Sequence, residues 1–251
     1  MLRIFRNMRN NLLSQNRFTH YMFYAIGEIV LVVIGILIAL QINNWNELRK
    51  IRLAEQEILQ NLKSELLINK ENLEIIHQKH TSVYNDGDYL LKLFYTDISN
   101  ISVKKLDTIL GNFETGWSFE PRDGYIKSLI STGKIDYLQN EEIKAFITAF
   151  ESHVIDATQD FVYIQKQLHE RLWPSIDGKI NASNRFLTQE TNPNFPKGSY
   201  ESDYQWFFSN REMEDVISNI MSWQQSEIND ELKLLDDITD MIEIIENELK
   251  H

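Results

Sequence analysis

One stretch near the N-terminus is long and apolar enough to cross a lipid bilayer, and it constrains the fold most. Residues 21–42 read YMFYAIGEIVLVVIGILIALQI and contain one charged side chain, Glu28. As an α-helix they would be roughly 33 Å long, which matches a hydrocarbon core of about 30 Å. No small-residue cleavage site follows Leu40, as a secretory signal peptide would require. The sequence therefore predicts a retained transmembrane helix over residues 21–45.

Glu28 stands out because a carboxylate at the centre of a bilayer costs about 2.5–3.5 kcal/mol. Two interpretations remain open. The side chain either reaches the headgroup region or is protonated there, or it belongs to a surface for helix association. At 100° per residue, Glu28, Gly35 and Ala39 share one face of the helix. Gly35 and Ala39 form a small-xxx-small pair that lets two backbones approach closely, so the second interpretation predicts association through this stripe.

Charge is distributed unevenly along the chain. Residues 1–27 carry four arginines and no acid, a net charge of +4. Because the net charge of the whole chain is −12, residues 28–251 carry −16. The basic tail, residues 1–20, favours a cytoplasmic N-terminus, with residues 46–251 on the far side of the membrane. An acidic body disfavours nucleic acid as a partner. The chain has no cysteine, which excludes disulfides, thiolate metal sites and cysteine nucleophiles.

Helical spacing of apolar residues predicts an all-α fold with one transmembrane helix that continues into a bundle of long helices. No Gly or Pro occurs between Gly35 and Gly87, so we expect a juxtamembrane helix of about 40 residues. We expect it to join an intramolecular bundle or to form an intermolecular stalk. The segment 85–88, Asn-Asp-Gly-Asp, predicts a turn. The apolar seam of the juxtamembrane helix, along which it would pack, comprises Leu59, Leu62, Leu66, Leu73 and Ile76, with Glu55 and Asn69 as polar members.

The rest of the chain predicts further helices over residues 89–95, 102–110 with a Ser102 cap, 122–131, 140–173 with Pro174 as its end, and 211–249. The last helix has seam positions spaced by threes and fours, with Gln224 and Glu231 as its polar members. Its opposite face is acidic and is interpreted as solvent-exposed. We expect this helix to pair antiparallel with the juxtamembrane helix and to return toward the membrane.

Two irregular stretches are candidate partner-binding loops. Residues 111–124 contain Trp117 and Phe119, which either pin the loop to the core or line a ligand pocket. Residues 174–203 form the longest irregular stretch. Its NPNFPKG segment supplies the candidate contact residues Pro193, Phe195 and Pro196.

No motif of a known catalytic class occurs in the sequence, which lacks GxSxG, HExxH, a P-loop and GxGxxG. His77 and His80 are spaced i, i+3 on one helix face. No third ligand is indicated, so both are interpreted as surface side chains rather than as a metal site. We therefore predict a non-enzymatic protein with no catalytic residue, no cofactor and no bound metal.

The segment YAIGEIVLVVIGILIALQINNWNE, with the Arg-rich start and LLSQNRFTHY before it, resembles the opening of a family of uncharacterised bacterial single-pass membrane proteins. The similarity covers about residues 1–50 and is weaker over residues 125–135, YIKSLISTGKI. This resemblance implies a helix anchored in the inner membrane and a helical periplasmic domain. It implies no activity, because the family is known only as a domain of unknown function.

These observations predict a membrane-anchored interaction or scaffold protein. Its partners are the lipid bilayer, through residues 21–45, and either further copies of itself or another membrane protein. The alternative is a helical sensor module that binds a small ligand or peptide and signals through a membrane partner. A third possibility is an ion-conducting or proton-coupled subunit that uses Glu28. A large buried polar cavity would favour the sensor, and a dry core would favour the scaffold.

Overall fold

The computed structural model describes residues 17–187 and 194–250, with side chains described from residue 21 onward. Every regular element in these ranges is a helix. The first, α1 (Arg17–Leu91), carries the apolar segment and continues into a helical bundle. This confirms the predicted all-α fold. The predicted basic tail lies outside the described residues, apart from its last four positions.

The chain divides into two compact units, Met1–Gln56 and Glu57–His251. Between residues 26 and 50 of the first unit the apolar side chains are all exposed, and Leu31 is 74% exposed. Among the described residues, this is the one helix long and apolar enough to cross a membrane by length and composition. A helix that is apolar on all sides is stable when lipid or protein surrounds it.

The second unit contains the rest of α1 and eight further described helices. These are α2 (Val103–Phe113), α3 (Gly124–Ser131), α4 (Glu141–Thr158), α5 (Asp160–Gln167), α6 (Trp173–Ile176), α7 (Ala182–Leu187), α8 (Tyr204–Phe208) and α9 (Arg211–Leu249). A 3₁₀ turn, Lys134–Tyr137, follows α3, and a π-helical turn, Leu168–Leu172, joins α5 to α6. The predicted Ser102 cap and the predicted bounds of the last helix are confirmed.

The part of α1 in the second unit packs antiparallel against α9. Lys63 Nζ lies 2.7 Å from Glu246 Oε1, and His80 Nδ1 lies 2.7 Å from Glu231 Oε1. The residue numbers of the partners in α9 decrease as those in α1 increase. The two helices therefore run in opposite directions, as predicted. The predicted α1 seam is buried at Leu59, Leu62, Leu66 and Leu73.

The two predicted polar members of this seam, Glu55 and Asn69, are also buried, and Asn69 is fully buried. Its side-chain amide donates to the carbonyl of Arg122 at 2.6 Å, and its Oδ1 accepts from the amide of the same residue at 2.7 Å. One buried side chain therefore satisfies both backbone groups of the loop residue that precedes α3, and it fixes the position of that loop on α1.

The turn predicted at residues 85–88 is wrong, because α1 continues to Leu91. The separate helix predicted over residues 89–95 is also wrong, since the chain after Leu91 forms a turn that ends at Tyr95 with φ of 58°. Gly87 is needed for close packing rather than for a turn. A Cβ at this position would lie 2.6 Å from Phe113 and 2.9 Å from Met221.

The single helix predicted over residues 140–173 is also wrong, because it consists of several pieces. It breaks at Gln159, directly after Thr158, whose hydroxyl donates to the carbonyl of Val154 at 2.9 Å and favours a bend. Pro174 does not end the helix, which continues to Ile176. Proline has no N–H to donate to the preceding turn and would normally end the helix. Here a π-helical turn precedes it, in which the Trp173 amide donates to the Leu168 carbonyl and the helix is wider.

We predict that Gly87→Ala destabilises the protein by about 1–3 kcal/mol, the cost typical of overpacking. Helix propensity alone predicts the opposite sign, since Ala in a helix is favoured over Gly by about 1 kcal/mol. Phe113 is almost completely buried, so its ring has little room to move away from the added methyl group. The free energy of unfolding, measured on the full chain in detergent by tryptophan fluorescence, tests the sign.

Gly124→Ala is the matched control, because a Cβ there has no neighbour within 4 Å. It should leave stability unchanged or raise it slightly. A Gly87→Ala variant as stable as the wild type would contradict the packing at this crossing.

Candidate functional site

A buried polar layer lies between two apolar cores of the bundle. On α1 the buried residues of the first core end at Leu73 and those of the second core begin at Val83. On α9 the second core ends at Met221 and the first core begins at Leu234. Buried polar side chains are concentrated in these intervals, beside the apolar Ile228 of α9, and α5 adds Asp160. The buried members are His80, Asp160, Gln224, Glu227 and Glu231, and His77 lies partly buried beside them.

Glu231 is the centre of this layer. Its Oε1 lies 2.7 Å from His80 Nδ1 and its Oε2 lies 3.2 Å from His77 Nδ1, so the carboxylate joins two histidines one turn apart on α1. The other ring nitrogen of His80, Nε2, lies 3.1 Å from the carbonyl oxygen of Trp117. If Nε2 donates to that carbonyl, the short Nδ1 contact holds a proton shared with Glu231 or carried by the imidazolium.

Glu227 lies one turn before Glu231 on α9 and is 2% exposed. Gln224 Nε2 is its hydrogen-bond donor among the described residues, at a long 3.5 Å. Burial, with the charges of Glu231 and Asp160, raises the pKa of Glu227 to about 8, although His80 opposes this. Burial alone would lower the pKa of His80, but the hydrogen bond and the charge of Glu231 raise it above 6.5.

The interpretation of both histidines as surface residues is wrong, because His80 is 2% exposed and the His77 side chain 19%. The sequence indicated no metal ligand besides the two histidines. The fold, however, brings two carboxylates, those of Glu227 and Glu231, next to His80. One ligand atom each from His80, Glu227 and Glu231 lie within 4.8 Å of one another. Glu231, a charged residue at a seam position of a largely apolar helix face, was the available signal, but the sequence does not connect it with the histidines.

Trp117 and Phe119 lie where the loop after α2 meets the core. Phe119 is 4% exposed and belongs to the first apolar core. Trp117 packs partly buried against the second core, and Lys79 Nζ lies 3.2 Å from the centre of its ring. Both aromatic residues therefore pin this loop to the bundle, and the Trp117 carbonyl reaches His80.

The other predicted site residues are exposed or lie outside the described residues. Pro193 lies outside them. Phe195 and Pro196 are at the surface, where the Phe195 ring contacts Phe186 with centroids 5.6 Å apart. Glu28, Gly35 and Ala39 are exposed along α1 in the first unit, and a Cβ at Gly35 would have no neighbour within 4 Å.

A second buried network lies near α2 and α7 and has no sequence signal, because its members are far apart in the chain. Arg185 forms a buried ion pair with Glu114, which also accepts from Trp173 Nε1 at 2.9 Å. Asp107 accepts from Ser202 Oγ at 2.6 Å and from the Tyr204 hydroxyl at 2.9 Å. Next to Asp107 is a cavity of about 380 Å³ that Lys104, Lys197 and Tyr200 also line.

We predict that, with metal ions removed by EDTA, the free energy of unfolding falls as pH rises from about 5 to about 8. Glu227 binds its proton up to a pKa of about 8 when folded, but only to about 4.5 when unfolded. His80, with its raised pKa, also binds protons more tightly in the folded state and loses that stabilisation at higher pH. The groups that face them are His77, Glu231, Asp160 and Asp230. Unfolding of the full chain in detergent across this pH range measures the slope.

Glu227→Gln removes the carboxyl that holds a proton, so the slope should become shallower. Glu243→Gln, an exposed change on the same helix, should leave the slope unchanged. If Glu227→Gln keeps the wild-type slope, Glu227 does not titrate in the folded protein as described.

Comparison with protein families gives a match to this chain. The model of DUF6090, a family of unknown function, matches residues 28–183, which is more than half of the 251-residue chain. Neither the curated proteins nor the solved structures contain a match to this chain. The matched range includes His77, His80 and Trp117 and ends before α9, which carries Glu227 and Glu231. The chain belongs to DUF6090, a family of unknown function.

Proposed function

We propose that this protein is a membrane-anchored, non-enzymatic interaction or scaffold protein that associates with itself. The observation that carries the proposal is the exposed apolar segment of α1. None of the 18 residues in its most apolar stretch is buried by the rest of the described chain. Exposed apolar surface in water costs about 25 cal/mol per Å², so a segment of this size needs a lipid or protein environment.

The length and flanks of the segment favour lipid over a protein partner. Residues 21–42 would span roughly 33 Å as a helix, close to the bilayer core. Tyr21 and Tyr24 near one end and Trp45 near the other suit the two interfaces, where aromatic side chains are enriched. The arginines of the N-terminal tail support a cytoplasmic N-terminus, with the bundle on the other side of the membrane. An inner-membrane location and a periplasmic bundle are what the resemblance to bacterial single-pass membrane proteins implies.

Self-association is proposed through the face of α1 that carries Glu28, Gly35 and Ala39. All three are exposed in the first unit. The two small residues allow close approach of a second helix, and a carboxyl group in lipid is stabilised when it finds a polar partner there. A second copy of the chain offers the same face, with the same carboxyl group, and so matches it in register.

A sensor module is the second candidate function. The cavity of about 380 Å³ beside Asp107 supports it, since ligand sites are commonly clefts of about 300–1,000 Å³. The lining is mixed in charge: Lys104 and Lys197 are opposed by Asp107 and Glu201, with Tyr200 beside them. A small molecule that stabilises the wild type but not a Lys104→Ala variant would favour the sensor over the scaffold.

We predict that the full chain stays in the membrane pellet after extraction at alkaline pH. Replacing Leu31 and Ile34 together by Lys should release it, because each Lys near the bilayer centre costs about 2.5–3.5 kcal/mol. Leu48→Lys is the control, since Leu48 is exposed and lies beyond the predicted span. A protease added to spheroplasts should cleave the bundle if it is periplasmic. Release of the wild-type protein, or a protected bundle, would contradict the anchoring or the orientation.

We predict that a single cysteine at Asn46 forms a disulfide-linked dimer in membranes. Asn46 lies 18 positions after Glu28 and so falls on the same face of the helix. The natural chain has no cysteine, so no background crosslink forms. Gly35→Ile and Glu28→Leu should each reduce the crosslinked fraction by roughly half or more, because they disrupt close packing and polar pairing.

Gly27→Ile is the matched control, because Gly27 lies about 100° away from Glu28 on the helix and also has open space around it. Its crosslinked fraction should equal that of the parent. If all three substitutions leave crosslinking unchanged, the stripe does not join the copies.

A further inference from the structure

We propose that His80, Glu227 and Glu231 bind one divalent transition-metal ion, of the Zn²⁺ class, inside the bundle. One ligand atom from each of these residues lies within 4.8 Å of the others, and all three side chains are buried. Ligand atoms around a tetrahedral Zn²⁺ are separated by about 3.3 Å, given bonds of about 2.0–2.1 Å. Distances of up to 4.8 Å differ from that separation by about 1.5 Å or less, so binding would require a side-chain adjustment of that size.

The two ring nitrogens of His80 have the arrangement found in metal-binding histidines. Nδ1 lies 2.7 Å from Glu231 Oε1, and Nε2 lies 3.1 Å from the carbonyl of Trp117. A histidine that binds a metal through one nitrogen almost always donates the other N–H to a carbonyl or carboxylate, which fixes the tautomer and the ring orientation. Trp117 is held in place by packing against the second core. His80 is therefore oriented as a ligand before any ion binds.

Glu227 is the second, independent observation. A buried carboxylate normally accepts several short hydrogen bonds. Among the described residues, Glu227 has one donor, Gln224 Nε2, at 3.5 Å, although it is 2% exposed. Its oxygens thus have unused capacity to bind a ligand, and one of them lies within 4.8 Å of a ligand atom of His80 and of Glu231.

The charge of the layer also favours a cation. Three acids, Asp160, Glu227 and Glu231, are buried at this level of the bundle. The basic groups next to Glu231 are the two histidines, of which His77 Nδ1 lies 3.2 Å from its Oε2. A bound divalent ion compensates the acids where water does not reach them. His77 is placed either to join the coordination or to hold the free oxygen of Glu231.

The ligand types select the class of metal. Imidazole nitrogen together with carboxylate oxygen suits Zn²⁺, Mn²⁺ and Fe²⁺. Ca²⁺ and Mg²⁺ prefer oxygen ligands, and Ca²⁺ takes six to eight of them. Zn²⁺ is the appropriate probe for the site, and Ca²⁺ is the control ion.

Binding would join the first and last helices of the bundle across about 150 residues of sequence, since His80 lies on α1 and both acids lie on α9. An ion that binds the folded state and not the unfolded one stabilises the folded state by mass action. The inference depends only on the second unit, so it stands or falls independently of the membrane anchor and of self-association.

The test is a Zn²⁺ titration of the full chain in detergent after removal of metals with EDTA. Bound metal is measured by elemental analysis after gel filtration, and the ligands by X-ray absorption. We expect one Zn²⁺ per chain with nitrogen and oxygen ligands, an imidazole signature and a higher unfolding temperature, and none of these effects with Ca²⁺. Glu227→Gln keeps the size of the side chain and should weaken Zn²⁺ binding about 100-fold or more, beyond the 10- to 100-fold cost of losing an outer partner.

Glu243→Gln, the exposed change on the same helix, should bind Zn²⁺ as the wild type does. His80→Gln should also lose the ion, and Glu227→Gln decides the question if that variant fails to fold. No Zn²⁺ retained by the wild type would overturn the proposal. Equal binding by the wild type and Glu227→Gln would also overturn it, because the ion would then be held adventitiously by surface acids.

Discussion

The bundle depends on one contact, that of Glu231 on the last helix with His77 and His80 on the first. Apolar packing on either side is non-directional and specifies the register of two long helices less strictly than hydrogen bonds do. The polar layer does not, because a shift by one turn would leave buried histidine and carboxylate groups without partners. Removing one member of a buried charged pair costs about 3–5 kcal/mol. The layer thus fixes the register in which α1 and α9 pack.

The long first helix suits two different environments along its length. Up to about residue 45 its side chains are apolar on almost every face and are exposed. From Ile58 onward it carries a narrow apolar seam, which is buried in the bundle. Helices that are apolar all round belong in lipid or inside large assemblies, whereas a seam belongs against one partner helix. The proposal of a membrane anchor follows from this change along one continuous helix.

Sequence reasoning succeeded where the signal is local. The seam of α1, the Ser102 cap and the bounds of α9 follow from spacing and capping residues, and the structure confirms them. It failed where a residue's role depends on distant neighbours. The local sequence predicts a turn at Gly87, but a glycine is needed there because Phe113 and Met221 pack against it. His80 was interpreted as exposed because its partner Glu231 lies 151 positions away.

Only part of the candidate site could be predicted from the sequence, because its residues come from distant parts of the chain. The i, i+3 histidines and the polar seam residue Glu231 were each recognised, but only the fold shows that they face each other. Glu227 gave no signal, since an acid on an acidic helix is unremarkable without its burial. The DUF6090 match covers the histidine side of the site and stops before the carboxylate side.

The most direct test of this account is a double-mutant cycle between His80 and Glu231, with His80→Gln, Glu231→Gln and both changes together. The free energy of unfolding is measured on the full chain in detergent with EDTA present. Residues in direct buried contact show coupling energies of about 0.5–3 kcal/mol, and we predict at least about 1 kcal/mol for this pair. Effects that add to within about 0.3 kcal/mol, as they do for independent sites, would contradict the central role of this contact.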